Sequence, residues 1–277
     1  MVFGIPLDYG PAMTTENNIP QPRTHREEQQ ARSTHFGFRT VAEADKAGLV
    51  RTVFDAVAPK YDLMNDLMSA GVHRVWKAVM VDVLSPRPGE SIVDLAGGTG
   101  DIAFRIMKRV GAASSPITIC DINTEMLSVG RDRAVDHGHL AGINWVCGNA
   151  EALPFPDMQF DAFTIAFGLR NVTHIDMALS EVRRALKPGG RFVCLEFSKV
   201  LVPVLNKIYD TYSFSILPWL GEIIAGDREA YKYLAESIRR FPDQQTLAKK
   251  MTAAGFSQVK VRNLSGGIAA IHTGWRA

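Results

Sequence analysis

Three cysteines in 277 residues, with no C-x-x-C pair, leave this chain without the material for a disulfide framework or a thiolate metal cluster. Cys120, Cys147 and Cys194 each fall in an apolar, strand-like run, which reads as buried reduced thiols in a cytosolic-type protein. The seven histidines are scattered and none pairs with a cysteine at ligand spacing, so no metal site is suggested. No uninterrupted run of about 18 apolar residues occurs, which argues against a membrane-crossing helix. Charge of one sign is also missing: 31 Lys and Arg against 29 Asp and Glu give a net charge of +2, too balanced to imply nucleic-acid binding. None of the six tyrosines is followed by Lys four residues on, so a Tyr-x-x-x-Lys hydride-transfer pair is absent. What is present is globular: 46% hydrophobic and 22% charged residues, enough for one large α/β domain with attachments.

The densest signal is Ser91-Ile92-Val93-Asp94-Leu95-Ala96-Gly97-Gly98-Thr99-Gly100-Asp101. An apolar run ends in glycines and a helical pattern follows at once (Ile102, Ala103, Ile106, Met107, Val110), which predicts strand, tight turn, helix. Glycine serves where backbone must turn through positive φ or approach a ligand closely, and the following helix start offers free N–H groups. Gly98, Thr99 and Gly100 are therefore candidate ligand-binding residues at the carboxyl end of a strand. Gly98-x-Gly100-x-x-Ala103 also fits the dinucleotide pattern, so a nicotinamide cofactor stays open at this point. Asp94 inside the strand would sit badly beside a pyrophosphate. S-adenosylmethionine (SAM) carries a sulfonium and an ammonium but no phosphate, and it suits an acidic, glycine-lined turn. A ligand-free turn is the plain alternative, weakened by the crowding of three glycines and an acid into Gly97–Asp101.

Residues 1–40 are rich in Pro, Thr, Gln, Arg and Glu with no apolar period, and read as a disordered extension; Met13 is a second candidate start. Acids within the extension leave a mitochondrial presequence poorly supported. The remainder, 41–277, reads as one domain. A helical pattern starts at Val41, and Leu63, Met64, Leu67 and Met68 form a stripe that fits either core or a lipid-facing surface. After the glycine turn, strands 116–121, 143–150, 160–167 and 191–197 alternate with helices, and the chain closes with runs 259–264 and 268–275 around Gly266-Gly267. The fold expected is α/β: a doubly wound, mostly parallel seven-stranded sheet with an antiparallel C-terminal strand, N-terminal helices and a helical lid insertion at about 199–241. Asp121 ends the second strand, 23 residues beyond Gly98, where an acid binds ribose hydroxyls; alternatively it caps the next helix. Asn149 ends the third strand, placed to read an adenine edge. The apolar insertion, from Leu201 to Ile224, suits an isoprenoid substrate, a dimer face or plain core.

Taken together, Tyr61-Asp62-Leu63-Met64-Asn65-Asp66, Asp94–Asp101, Phe167-Gly168-Leu169-Arg170-Asn171-Val172 and Gly226-Asp227-Arg228-Glu229-Ala230-Tyr231 resemble the ubiquinone/menaquinone biosynthesis C-methyltransferases, over residues from about 36 to the end. The resemblance implies SAM as cofactor, contacts at Thr99, Asp121, Asn149 and Ala150, and ring-carbon methylation of a polyprenyl 6-methoxy-benzoquinol, a demethylmenaquinol, or both. One departure is Ala166, where many bacterial members carry Ser beside the cofactor. A quinol substrate implies a cytoplasmic protein peripheral to the inner membrane. No nucleic-acid partner is expected; a homo-oligomer or a quinone-synthesis complex stays open. Arg170 is the candidate catalytic residue, a permanent cation for a developing phenolate, with a structural ion pair as its plain alternative. His73, Asp62, Asp227 and His272 are candidate proton acceptors. Another lipid or phenol methyltransferase, or a non-catalytic lipid-binding subunit, are the competing functions.

Overall fold

The computed structural model describes residues 32–57, 71–111, 116–139, 141–201 and 228–277, together with Met1, Asp66 and Ser69. It opens with an antiparallel hairpin, β1 (Ser33–Phe36) and β2 (Arg39–Ala42), followed by α1 (Glu43–Val57). The hairpin lies at the edge of the stretch with no apolar period, and Val41 belongs to β2, so the helix starts at Glu43 rather than Val41. Four-residue strands carry too few side chains to show an alternation, which is why a helical spacing masked them.

Next come α2 (His73–Leu84), β3 (Ile92–Leu95), α3 (Asp101–Val110), β4 (Ile117–Asp121), α4 (Thr124–Asp136), β5 (Ile143–Cys147), β6 (Phe160–Ala166), a 3₁₀ turn at Leu169–Asn171, α5 (Ile175–Ala185) and β7 (Leu186–Phe197). The chain ends with α6 (Arg228–Arg240), α7 (Gln244–Ala253), β8 (Phe256–Leu264) and β9 (Ala269–Arg276). Seven strands form one sheet in the order β5-β4-β3-β6-β7-β9-β8. Neighbours from β5 to β7 run parallel; β9 is antiparallel to both β7 and β8. This is the expected doubly wound sheet with a single reversed strand. The Lys187–Gly190 turn loops out of β7 between the pairs Phe160–Leu186 and Ala162–Arg191.

Both faces of the parallel strands are covered, so alternate residues feed opposite cores. Ile92, Ile117, Ile119, Ala162, Val193 and Leu195 pack with Trp76, Met80, Ile106 and Leu234 from α2, α3 and α6. Val93, Leu95, Cys120, Phe163, Phe192 and Cys194 pack with Leu179, Val182, Leu247 and Met251 from α5 and α7. Cys120 and Cys194 are buried free thiols; Cys147 is free but exposed, because β5 is an edge strand. Strand order reverses between β3 and β6, and there the connections to α3 and to the 3₁₀ turn diverge to open a crevice. The Leu63–Met68 stripe and the Leu201–Ile224 run lie outside the described residues apart from Asp66 and Leu201; of the expected insertion at about 199–241, the described part beyond residue 227 is the helix α6. No helix among the described residues is long and apolar enough to cross a membrane.

Candidate active site

The crevice is a chamber at the carboxyl ends of β3, β4, β5 and β6, the edge at which doubly wound sheets bind their ligands. Its lining brings together Gly98, Asp121, Asn149 and Ala150, four residues singled out by sequence. Thr99 and Gly100 do not line it. Thr99 is buried in the turn, and Gly100 starts α3, its carbonyl accepting from Phe104 N at 2.9 Å.

Gly98 has φ +49°, and a Cβ there would meet the Met126 methyl at 2.9 Å. Its N–H donates instead to Asp121 Oδ2 at 2.9 Å. The other carboxylate oxygen, Oδ1, accepts from Asn123 N at 2.8 Å. Burial pushes Asp121 up to about 6, opposed by these backbone donors, so it is mostly ionised at neutral pH. Capping of α4 falls to Asn123, whose Oδ1 accepts from Met126 N at 3.0 Å. Asp121 is thus free of that duty and presents a carboxylate to the chamber. Asn149 spends its side-chain oxygen on Glu151 N at 3.0 Å and its carbonyl on Ala152 N at 3.1 Å, which leaves its amide nitrogen for a ligand.

Beneath the turn lies Asp94, 1% exposed. Oδ1 accepts from Thr164 Oγ1 at 2.8 Å, while Oδ2 is buried with no partner among the described residues. Burial pushes this carboxyl up to about 7. Nearby, Lys77 Nζ donates to Asp101 Oδ2 at 2.8 Å. Burial alone would raise Asp101, but the Lys77 ammonium and the Arg105 guanidinium override it and hold the carboxyl down at about 2. A desolvated carboxylate with a bare oxygen, next to an ionised ribose-type acid and a glycine cradle, fits a cation with hydroxyls. Among the described lining residues a pyrophosphate would find two acids and no lysine, with Arg51 the single cation.

The other wall is apolar. Ala96 and Phe167, the residues just after β3 and β6, both have positive φ (51° and 58°), a conformation costing about 1–3 kcal/mol each and concentrated at functional sites. They turn both strand ends away from the sheet and open the crevice. Gly168 follows, and a Cβ there would lie 2.5 Å from that of Ala96. Over the top runs α1, contributing Ala47, Val50, Arg51 and Phe54. That role was not legible in sequence, since the helix joins the chamber only through the tertiary fold.

Residues 39–276 match the ubiE/COQ5 methyltransferase family. The chain belongs to that family. A ubiquinone/menaquinone biosynthesis C-methyltransferase of Paracoccus denitrificans is 56% identical, over 89% of this chain and 98% of the relative. A mitochondrial 2-methoxy-6-polyprenyl-1,4-benzoquinol methylase of Danio rerio is 49% identical, over 93% and 89%. The fold is also that of a SAM-dependent methyltransferase from Aquifex aeolicus, with a TM-score of 0.56 at 15% identity, covering 80% of this chain and 98% of that one. As a ubiE/COQ5 methyltransferase, the chain is a SAM-dependent C-methyltransferase, and the donor set just described fits SAM.

Arg170, expected to face the reacting ring, does not line the ubiE/COQ5 chamber. Its guanidinium is 1% exposed and pairs with Glu196 Oε1 at 2.7 Å, while also donating to the Phe167 carbonyl. Glu196 Oε2 takes the Arg170 backbone N–H at 3.2 Å. The pair clamps the 3₁₀ turn to β7, as the ion-pair alternative anticipates. Among the proton-acceptor candidates, His272 is buried in β9 with Nε2 bonded to the Gln244 carbonyl at 2.9 Å, outside the chamber. His73 Nδ1 faces Ser69 Oγ at 2.9 Å, and burial together with Lys77 pulls it down to about 4, so it is neutral at pH 7. Asp62 and Asp227 lie outside the described residues.

Proposed function

We propose that this chain methylates a ring carbon of a 2-methoxy-6-polyprenyl-1,4-benzoquinol in ubiquinone biosynthesis, with demethylmenaquinol as a second acceptor, working at a membrane surface where such substrates reside. The observation that carries the reading is the chamber itself, with Asp121 on one wall, Asp94 buried beneath the turn behind it, and Phe167, Val50 and Phe54 on the other wall. Kinship at 56% and 49% with proteins named for these reactions supports the acceptor class.

Bound SAM supplies an electrophilic methyl group. Asp121 would hold the ribose hydroxyls, since its backbone donors keep it ionised and its spare lone pairs accept from both. Asn149 and Ala150 would hold the adenine, and Gly98 lets backbone approach closely. Asp94, with its bare Oδ2, would balance the ammonium through the turn. Thr99 and Gly100 then act one layer back, shaping the turn that presents Gly98. The apolar wall and α1 exclude water from a step in which opposite charges are neutralised, which a dry site favours. A quinol carbon attacks only when a ring hydroxyl is ionised or strongly polarised. Arg170 serves this by fixing the Phe167–Asn171 wall, with its charge already offset by Glu196, so proton removal falls to water or another residue.

The test is quinone profiling of a strain lacking the gene. Accumulation of a ring-demethylated benzoquinol, reversed by the wild-type chain, is expected; an unchanged quinone pool would overturn the reading. A demethylmenaquinol accumulating beside it identifies the second acceptor.

A further inference from the structure

Tyr233 stands where three elements meet. It belongs to α6, and its ring stacks on Phe36 of β1 with centroids 4.1 Å apart and planes 17° apart. Its hydroxyl lies 3.0 Å from Asn171 Oδ1 at the end of the 3₁₀ turn. Asn171 lines the methyl-transfer chamber, whereas Tyr233 lines a separate cavity on the hairpin side together with Lys46 and Arg170. Tyr233 therefore reaches the reaction only through Asn171. Burial pushes the phenol well above its ordinary value, so it stays protonated. A buried hydroxyl must place its hydrogen on an acceptor or stay desolvated and unpaired. Asn171 Oδ1 is the acceptor here, and this decides which way the carboxamide faces. With its oxygen taken, Asn171 has only the NH₂ end left, and that end bonds to no described residue. The hairpin in turn is tied to α6: Phe38 N donates to Glu236 Oε2 at 2.9 Å, one turn along the helix from Tyr233.

We propose that Tyr233 is a positioning residue for methyl transfer: braced by Phe36 of the N-terminal hairpin, it turns the Asn171 carboxamide so that its N–H donors face the chamber and meet an oxygen of the acceptor ring. The proposal rests on the quinol reading above. It gives the hairpin, none of whose residues lines the chamber, a hold on the rate through a stacked ring and one hydrogen bond. A carboxamide free to rotate would present its oxygen to the ring half the time, repelling a phenolate rather than holding it.

The experiment uses the full chain with Tyr233→Phe, Asn171→Ala and the pair, and with Phe36→Leu as a milder disturbance of the brace. Tyr233→Phe keeps the ring and its stack. It is expected to lower kcat on the quinol on the order of tenfold, with SAM affinity and quinol KM changed less than about twofold, the split that marks an interaction made in the transition state. Added to Asn171→Ala, it should lower kcat no further. In nitrogen-15 spectra of the SAM-bound enzyme, the Asn171 side-chain amide pair should move in both Tyr233→Phe and Phe36→Leu. Multiplying losses in the double variant, SAM affinity falling in step with kcat, or an unmoved amide pair would each overturn the proposal. Should the wild type itself fail to methylate the quinol, the functional reading falls, and the amide signal alone then decides the role of Tyr233: moved upholds it, unmoved overturns it.

Discussion

A carboxyl stripped of water takes up a proton unless a cation replaces the lost solvation. Asp94 is in that position, fully buried with one oxygen bare and its carboxyl raised to about 7; Asp101, Lys77 and Asp121 are the charges around it. Because the folded value lies above the unfolded one of 3.8, the stability Asp94 contributes is complete below about pH 4 and is lost as pH rises through 7. Asp121 acts in the same direction, through about 6. On the reading proposed above, SAM would bring an ammonium and a sulfonium to this region. The gain in melting temperature on adding SAM is therefore expected to be larger at pH 8 than at pH 6, with the difference reduced in Asp94→Asn; equal gains at both pH values would contradict the assignment. Asp121→Ala removes hydrogen bonds to a charged group, about 1.5–3 kcal/mol, and calorimetry should show SAM binding about 10–100-fold weaker. Arg170→Ala strands Glu196 in a site where both side chains are 1% exposed. Denaturant unfolding should show about 3–5 kcal/mol of lost stability, alongside reduced turnover and retained SAM binding at temperatures where the variant is folded.

At the level of the element, the strand ends do the shaping. Ala96 and Phe167 turn left-handed, and Gly168 must lack a Cβ to pass Ala96. Gly168→Ala forces the two strand ends apart, and we expect about 1–3 kcal/mol of destabilisation with weaker SAM binding, both read by melting with and without the ligand. The strands themselves were legible: an apolar run closed by Gly97-Gly98, or by Asp121, announces a buried strand and its polar tip. So was the α4 start, although its cap proved to be Asn123 and not Asp121. Phe167 with positive φ was not legible, because no local preference of a bulky residue points there. The same holds for the Arg170–Glu196 pair. Twenty-six residues separate the partners, and only the parallel pairing of β6 with β7 sets the 3₁₀ turn against the end of β7.

Across the whole molecule, one open edge of one sheet carries the chemistry, and the N-terminal segment closes it. Helix α1 is pinned at its far end by Asn123 Nδ2 donating to Asp55 Oδ1 at 2.8 Å. At its near end His174 sits between Glu151, 2.7 Å from Nδ1, and Glu43, 3.4 Å from Nε2. These contacts hold Val50 and Phe54 over the chamber, so the cover comes from residues more than forty positions before the glycine turn that it faces. We propose that this covered, acid-and-apolar chamber delivers a methyl group to carbon. The most direct measurement is to incubate the purified full chain with SAM labelled with carbon-13 in its methyl group and the ring-demethylated polyprenyl methoxy-benzoquinol, and to read the product by NMR. The label is predicted on a ring carbon as an aryl methyl; label on a ring oxygen, or none transferred from a SAM that binds, would contradict it.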